Sequence, residues 1–537
     1  MMTLDQRAFV LDNSAGEDAI SEALGQAYTV TEEHAVLGTG ARRRTWLDTF
    51  DWRLFGAGLV LEHEQTRRGG NLILTGTDGA PLAEQPVTSV QSGRASQLPD
   101  GPVADRIGSL ISPRALLPVA KAVSTRSVFR LLNADGKTVT RVVVDRTTTA
   151  GTELNLRVRV AEVRGYPAQA RRAATLLAAI ASPASEPVFA AAAIANGRPP
   201  GGYSGKVDAA ITAGLPAQVA VAILLSSLLD TLEQNVDGVL RDIDTEFLHD
   251  LRVAVRRTRS ALKLLGDVLP ADLTAHYKTE FKWLGDLTTP VRDLDVYLLG
   301  FGDLTDGLLA AAPEDLEPFR EFLVRQRARE FRRLTAGLRS VRFRALTHDW
   351  RKALTELIEA GTRRQQRTRT KTSRPSAGAL ATQRTARAVS QLLRRGAVIT
   401  EQSPAESLHD LRKRGKELRY LWEFFAPLYD RAAYRTVLSD MKKLQDCLGE
   451  FQDSQVQREE LTELARQLLA DKSRSADYTA LAATLLAMGE INGRLAGNQR
   501  RARADFGTRF TRFAAPATQR HIQALLTQGT VLTEGHL

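Results

Sequence analysis

The sequence predicts an α+β protein of two domains. A strand-rich first part is followed by an all-α second part built from two pseudo-symmetric four-helix bundles. Three observations predict this. Strict alternation and a hairpin signal mark the first part. An almost unbroken helical period follows Pro216. The helical part also contains a repeat at a spacing of 160 residues. At roughly 150 residues per domain, a chain of 537 residues has room for two to four. Its 43% apolar and 25% charged residues are ordinary globular usage and supply a core.

In the first part, residues 153–160 (ELNLRVRV) place Leu154, Leu156, Val158 and Val160 on one face, as a half-buried strand does. Residues 126–132 and 138–145 flank Asp135-Gly136, a strong hairpin signal. Residues 168–181 (AQARRAATLLAAIA) read as a helix, and 84–114, rich in Pro, Ser and Gly, as a loop. Residues 183–210 are dense in Pro, Gly and Ala and read as a linker, so the first domain is expected to span 1–182. Pro216 suits the first turn of a helix.

The repeat is the strongest feature of the second part. LHDLR at 248–252 recurs at 408–412. The same register lays FKWLGDLTTPVRDLDV (281–296) over MKKLQDCLGEFQDSQV (441–456) without a gap. Four helices are expected in each copy, near 216–240, 246–266, 272–300 and 314–356, then near 377–398, 405–427, 431–470 and 478–513. The expected boundaries are 211–360 for repeat one, 361–375 for a basic linker, 376–515 for repeat two and 516–537 for a tail.

Charge follows the same division. The net charge is +11, carried by 60 Arg and only 13 Lys. Residues 1–210 hold 23 basic and 21 acidic side chains, and residues 211–537 hold 50 and 41, so +9 of the excess is in the helical part. Arg favours bidentate contacts to phosphate or carboxylate, so a polyanionic partner is expected. The single Cys447 excludes an intramolecular disulfide framework and a cysteine-rich zinc site. No apolar run approaches the ~20 residues of a membrane span, and the N-terminal residues lack the apolar stretch of a secretory signal. A soluble cytoplasmic protein is therefore expected.

The repeated motif concentrates cations on one helical stripe. His249, Arg252, Arg256, Arg259 and Lys263 fall at i, i+3, i+7, i+10 and i+14, and His409, Arg412, Lys416 and Arg419 take the first four of these places in copy two. Leu248, Leu251, Val255, Leu262 and Leu265 form the apolar stripe beside it, with Leu408, Leu411, Leu418, Trp422 and Phe425 in copy two. Like charges stacked at i,i+4 cost a few tenths of a kcal/mol per pair. Written twice in one register, that cost points to an anion groove. The alternative is a solvated face, or pairing with acids such as Asp293 and Asp453.

With these motifs, HDLRVAVRRTRSALKLL…FKWLGDLTTPVRDLDVYL and HDLRKRGKELRY…KKLQDCLGEFQD, the second part resembles the CHAD family, the "conserved histidine α-helical domain", over roughly 211–515. The resemblance implies two four-helix bundles with pseudo-two-fold symmetry that bind inorganic polyphosphate and target proteins to polyphosphate granules. It carries a polyphosphate-binding role onto His249, Arg252, Arg256, Arg257, Lys263, Lys282 and Arg292, and in copy two onto His409, Arg412, Lys413, Lys416, Arg419 and Lys442. Gln452 stands where copy one has Arg292, and Glu417 and Glu423 where it has Arg257 and Lys263.

The first part resembles a CYTH domain, a β-tunnel that hydrolyses triphosphates or cyclises ATP. The resemblance rests on TWLDTFDWRLFGAGLVL (45–61), the hairpin at 126–146 ending VVVDR, and the strand at 153–160. It implies a Glu-x-Glu-x-Lys signature near the N-terminus, and this chain begins LDQRAFVLD instead. The strand after Gly58-Leu59 reads VLEHEQ, with Glu62 and Glu64, where the family has Arg, and the later polar face is Glu153, Asn155, Arg157 and Arg159. Catalysis is therefore expected to be lost. No cofactor is expected, with Mg²⁺ or Mn²⁺ needed only if the tunnel is active.

The run 363–374 (RRQQRTRTKTSR) reads as a solvated linker or an extra phosphate strap, and the arginine-rich stretch 320–344 could line the groove or cover the outside. His34, His63, His276, His348, His521 and His536 lack metal-like spacing. Three functions follow. The first is a polyphosphate-binding module, the second a metal-dependent triphosphatase or polyphosphatase of CYTH type with a CHAD targeting domain, and the third a non-specific nucleic-acid binder. No nucleic-acid motif supports the third.

Overall fold

The computed structural model describes residues 7–14, 16–32, 41–66, 69–88, 93–184, 186–367, 375–470 and 478–534. The chain divides into Met1–Gly205 and Lys206–Leu537.

The first unit is built on one twelve-stranded sheet. Its strands are β1 (Ala8–Leu11), β2 (Thr29–Glu32), β3 (Arg42–Thr49), β4 (Leu59–Thr66), β5 (Gly69–Gly76), β6 (Pro81–Val87), β7 (Gly93–Arg94), β8 (Ala115–Leu132), β9 (Thr138–Thr149), β10 (Thr152–Glu153), β11 (Leu156–Glu162) and β12 (Ser182–Pro183). The order is β12-β1-β11-β9-β8-β3-β4-β5-β6, with β2 and β7 on β8 and β10 on β9. All of these pairings are antiparallel. The expected hairpin is β8–β9. Gly136 takes φ +73° at its turn, a conformation glycine adopts without a Cβ clash. The expected strand at 153–160 is β10 and β11, interrupted at 154–155.

One sheet face is apolar and covered by helices. Helices α1 (Gly16–Gly25), α2 (Arg53–Gly56), α3 (Pro102–Ile111), α4 (Pro167–Ala178) and α5 (Val188–Ala195) belong to this unit. Ile20 and Leu24 of α1 and Ala173 and Leu177 of α4 pack on Val142, Val144, Leu156, Val158 and Val160. Val103, Ile107 and Ile111 of α3 pack on Leu47, Leu61 and Leu72.

Two expectations change here. The stretch 84–114, expected as a loop, contains the end of β6, then β7 and α3. The i, i+4, i+8 spacing of Val103, Ile107 and Ile111, all fully buried, overrides the turn-rich composition around it. The 183–210 linker is largely folded. Phe189, Ala192 and Ala193 of α5, together with Tyr203, are buried beside Trp46 and Trp52, so the first unit runs to Gly205.

The second unit is helical. Its helices are α6 (Ala217–Leu240), α7 (Thr245–Leu265), α8 (Ala271–Leu299), α9 (Phe301–Asp306), α10 (Glu317–Leu338), α11 (Val341–Arg367), α12 (Ala377–Ala397), α13 (Ala405–Phe424), α14 (Arg431–Ala470), α15 (Tyr478–Ala514) and α16 (Pro516–Glu534). Helices α6, α7, α8 and α11 pack as one bundle, and α12, α13, α14 and α16 repeat that arrangement. The fourth helix expected in copy one, 314–356, is in fact two, α10 and α11, with a break at 339–340. In copy two α15 matches the expected helix near 478–513, and the expected tail carries a further helix, α16, beginning at Pro516, whose ring cannot continue α15. The ten residues expected on the two apolar stripes of α7 and α13 are all buried. Helix α6 is long and apolar enough to cross a membrane, unlike the expectation from run length. In the fold it is a core helix packed on α7, α11 and α12.

The 160-residue register of the sequence is a symmetry of the structure. Ala217 N–H donates to Pro375 C=O at 3.0 Å, and its counterpart Ala377 N–H donates to Leu215 C=O at 2.7 Å. Tyr297 Oη donates to the carbonyl of its own counterpart, Gln457, at 3.2 Å. Contacts between counterparts occur only beside a pseudo-two-fold axis. The two repeats also share a core of Leu294, Phe319, Phe322, Leu461, Met488 and Ile491.

Candidate functional site

The axis organises the cations. Helix α7 packs on α13 across it and carries its stripe there. Arg257 Nη2 meets Glu423 Oε2 at 3.1 Å, and Lys263 Nζ meets Glu417 Oε1 at 2.7 Å. These two contacts are related by the pseudo-symmetry, since 257 corresponds to 417 and 263 to 423. The carboxylates in copy two are what make the α7–α13 contact attractive. Arg257 and Lys263, which the resemblance assigned to the ligand, are thus engaged between the repeats.

Beside them lie cations with no carboxylate partner among the described residues. Arg256, Arg259, Lys416 and Lys442 form no ion pair. Lys416 is the counterpart of Arg256 and lies close enough to feel its charge. Burial, then the guanidinium groups of Arg412 and Arg256, pull the Lys416 ammonium down to about 8, with Asp453 opposing. Arg252 is lowered by burial first, and Arg256, Arg292 and Arg259 add to that against Asp293. Like charges held together cost stability, and Asp453 and Asp293 offset only part of it here. An anion bound here would remove that cost.

The remaining candidates surround this centre. Arg252 Nη1 donates to Thr289 Oγ1 at 2.7 Å and Thr288 Oγ1 at 3.2 Å, which fixes the guanidinium on α8 without neutralising it. Arg292 Nη1 lies 3.7 Å from Glu246 Oε1. His409 Nδ1 is 2.6 Å from Gln452 Oε1, an amide contact that orients the ring. His249 lies at the equivalent place on α7. Arg412 pairs with Asp453 at 2.7 Å, Arg419 with Glu423 at 2.7 Å, Lys413 with Asp410 at 3.5 Å and Lys282 with Asp286 at 3.1 Å. Asp286 and Asp453 therefore act as ion-pair partners of the stripes.

The other arginine-rich features behave differently. Within 320–344, Arg320, Arg327, Arg333 and Arg342 pair with Glu317, Asp242 with Asp295, Glu330 and Glu280 respectively. Most of the basic run 363–374, together with His34 and His536, lies outside the described residues. Among the described residues no cluster of His, Cys, Asp or Glu could hold a metal ion.

In the first unit the polar sheet face carries Arg42, Arg44, Glu62, Glu64, Arg126 and Asp145, brought together by the registers of β3, β4, β8 and β9. Arg42, 8% exposed, bridges Glu64 at 2.9 Å and Asp145 at 2.7 Å. Arg126 Nε adds a contact to Asp145 at 2.8 Å, and Arg44 Nη2 donates to Glu62 at 2.6 Å. All three carboxylates are thus spent on guanidinium groups. A divalent cation there would have to displace fixed positive charge.

Residues 223–462 match the family model described as "CHAD domain". The chain is similar to the structure of the CHAD domain from the plant Ricinus communis, with 25% identity, a TM-score of 0.45, and coverage of 60% of this chain and 96% of that one. It is similar to PptA from Streptomyces chartreusis, with 17% identity, a TM-score of 0.40, and coverage of 55% and 99%. The first part is similar to HpAC1 from Hippeastrum, described as an adenylyl cyclase candidate with a dominant triphosphatase activity, with 13% identity, a TM-score of 0.25, and coverage of 37% and 98%. No curated protein matches the sequence.

Proposed function

Residues 223–462 belong to the CHAD family, and on that premise we propose that this protein binds inorganic polyphosphate along the basic face shared by its two helical repeats. The observation that carries the reading is the cation cluster at the pseudo-two-fold axis. Arg256 and Lys416 lie within electrostatic reach of each other, and neither forms an ion pair among the described residues. A flexible chain of phosphates, each bearing one charge, can lie across both repeats and contact equivalent groups on each side. Arg252, Arg259, Arg412 and Arg419 extend the track, with His249 and His409 as donors along it. Lys282 and Lys442 sit exposed on the adjoining helices. The location that fits the reading is cytoplasmic, on polyphosphate granules.

The first unit serves, on this reading, as a scaffold without triphosphatase activity, because its sheet-face carboxylates are neutralised by arginine. The expected result is no metal-dependent phosphate release from triphosphate by the full chain. Robust release with Mg²⁺ or Mn²⁺ would reinstate the enzyme reading. For the helical unit, competition between long-chain polyphosphate and nucleic acid at ~150 mM salt separates the alternatives. Polyphosphate should displace nucleic acid at low molar ratio. Equal affinity for both would reject the specific reading. Replacing His249, Arg252, His409 and Arg412 together should abolish binding while the helical signal persists, and unchanged affinity would reject the site.

A further inference from the structure

A polar cleft of about 290 Å³ opens at the start of α13, lined by Ala405, Gln455, Arg458, Glu459, Asn492 and Gln499. Its lining residues lie close along α13 and α14 to the start of the basic stripe of copy two. Ala405 lies one helical turn before His409, and Gln455 three residues after Gln452, the amide that holds His409. The cation in the cleft is Arg458. Its Nε donates to Asn492 Oδ1 at 2.9 Å and its Nη1 to Gln499 Oε1 at 3.0 Å. Among the described residues Arg458 forms no ion pair. Gln455 Nε2 donates to Glu459 at 3.1 Å, so the one carboxylate in the lining is held by an amide.

The pseudo-symmetry supplies an internal control. In copy one the matching corner is shut. Arg327 bridges Asp295 at 2.6 Å and Asp242 at 2.7 Å, and the Asp295 side chain is fully buried. In copy two the counterparts of those two acids are Gln455 and Gln402. Both acids have become neutral amides, and the cation at this corner, Arg458, is bonded to amide oxygens instead of carboxylates. The result is an open cleft with one uncompensated guanidinium, which suits an anion of a few atoms.

We propose that this cleft receives the end group of the bound phosphate chain. The proposal rests on the polyphosphate reading above. A terminal phosphate differs from an internal one in carrying a second ionisable oxygen and in having no onward bond. A cleft with an arginine and amide donors offers charge-assisted hydrogen bonds to that second oxygen. The first α13 amides, which have no side-chain cap from Pro404, lie at the same place. The chain is therefore held with a direction, its end in copy two and its body running toward the axis and copy one.

The test compares two polyphosphates of the same defined length, one with free ends and one with both ends blocked as alkyl phosphoramidates, titrated into the full chain. The wild type should bind the free-ended form about tenfold more tightly, as expected for loss of a charge-assisted hydrogen bond. Arg458→Gln should erase that preference and leave affinity for the blocked form unchanged. Gln455→Asp, which installs copy one's acid beside Arg458, should do the same without removing a packed side chain. Equal affinity of the wild type for both forms, or a preference that survives both variants, would overturn the proposal and leave the polyphosphate reading standing. If neither form binds the wild type, the polyphosphate reading falls, and this proposal with it.

Discussion

Replacing Lys416 by Met should stabilise the protein and weaken its hold on polyphosphate. Lys416 is half-buried and lowered to about 8 from an ordinary 10.5, by burial first and then by Arg412 and Arg256. Taken whole, a shift of that size corresponds to about 3 kcal/mol at 1.36 kcal/mol per unit. Solvent still reaches the side chain and screens it, so about 1 kcal/mol is the figure to expect. The sign is fixed by linkage. At pH 7 the lysine is protonated in both folded and unfolded states, so the full cost is present. Between pH 8 and 10.5 the unfolded chain holds the proton more tightly than the folded one, so stability rises with pH there. Urea denaturation of wild type and Lys416→Met at low salt should show the variant about 1 kcal/mol more stable at pH 7. The two should converge as pH approaches 10.5. Polyphosphate affinity of the variant should drop about tenfold, since one charge contact is lost. A variant destabilised at pH 7, or one that binds as well as wild type, would refute the claim that this lysine bears a cost relieved by an anion.

Other outcomes follow from the same geometry. Glu423→Lys places a cation against Arg257, both side chains being 14% exposed, and should cost about 2–4 kcal/mol in denaturation. Adding Arg257→Glu should recover most of it, and failure to recover would mean the pair does not join the repeats. Asp48, pushed up to about 6 by burial, accepts N–H bonds from Thr49, Leu54 and Phe55. Its folded form keeps the proton between pH 3.8 and 6, so stability should fall with rising pH across that window, and Asp48→Asn should flatten the fall. Val103→Ala should destabilise the first unit by about 2 kcal/mol, because α3 is anchored by Val103, Ile107 and Ile111 at 0% exposure.

The helical half was largely legible because its repeat is ungapped. Aligned leucines and cations fall on aligned helix faces, and the apolar stripe of α7 and α13 is buried as the period requires. The pairing of Arg257 with Glu423 and Lys263 with Glu417 was not legible, since it depends on packing across the axis. The signal was present all the same. Charge reverses at 257/417 and again at 263/423, as expected where two copies face each other. The boundary before Pro516 was read from the sequence, but the helix that begins there was not. In the first half, composition misled. Pro, Gly and Ser around 84–114 hid the three-residue apolar face of α3, and the Pro- and Gly-rich surroundings of 188–195 hid α5. The cleft at Arg458 needed the fold, because its lining comes from three helices far apart in sequence.

The most direct test of the central claim is calorimetric titration of a short polyphosphate of defined length into the full chain at ~150 mM salt. A site spanning the pseudo-two-fold axis predicts one chain bound per protein molecule, with affinity falling steeply as salt is raised. Two equivalent chains per molecule, one on each repeat, or no binding at all would contradict it.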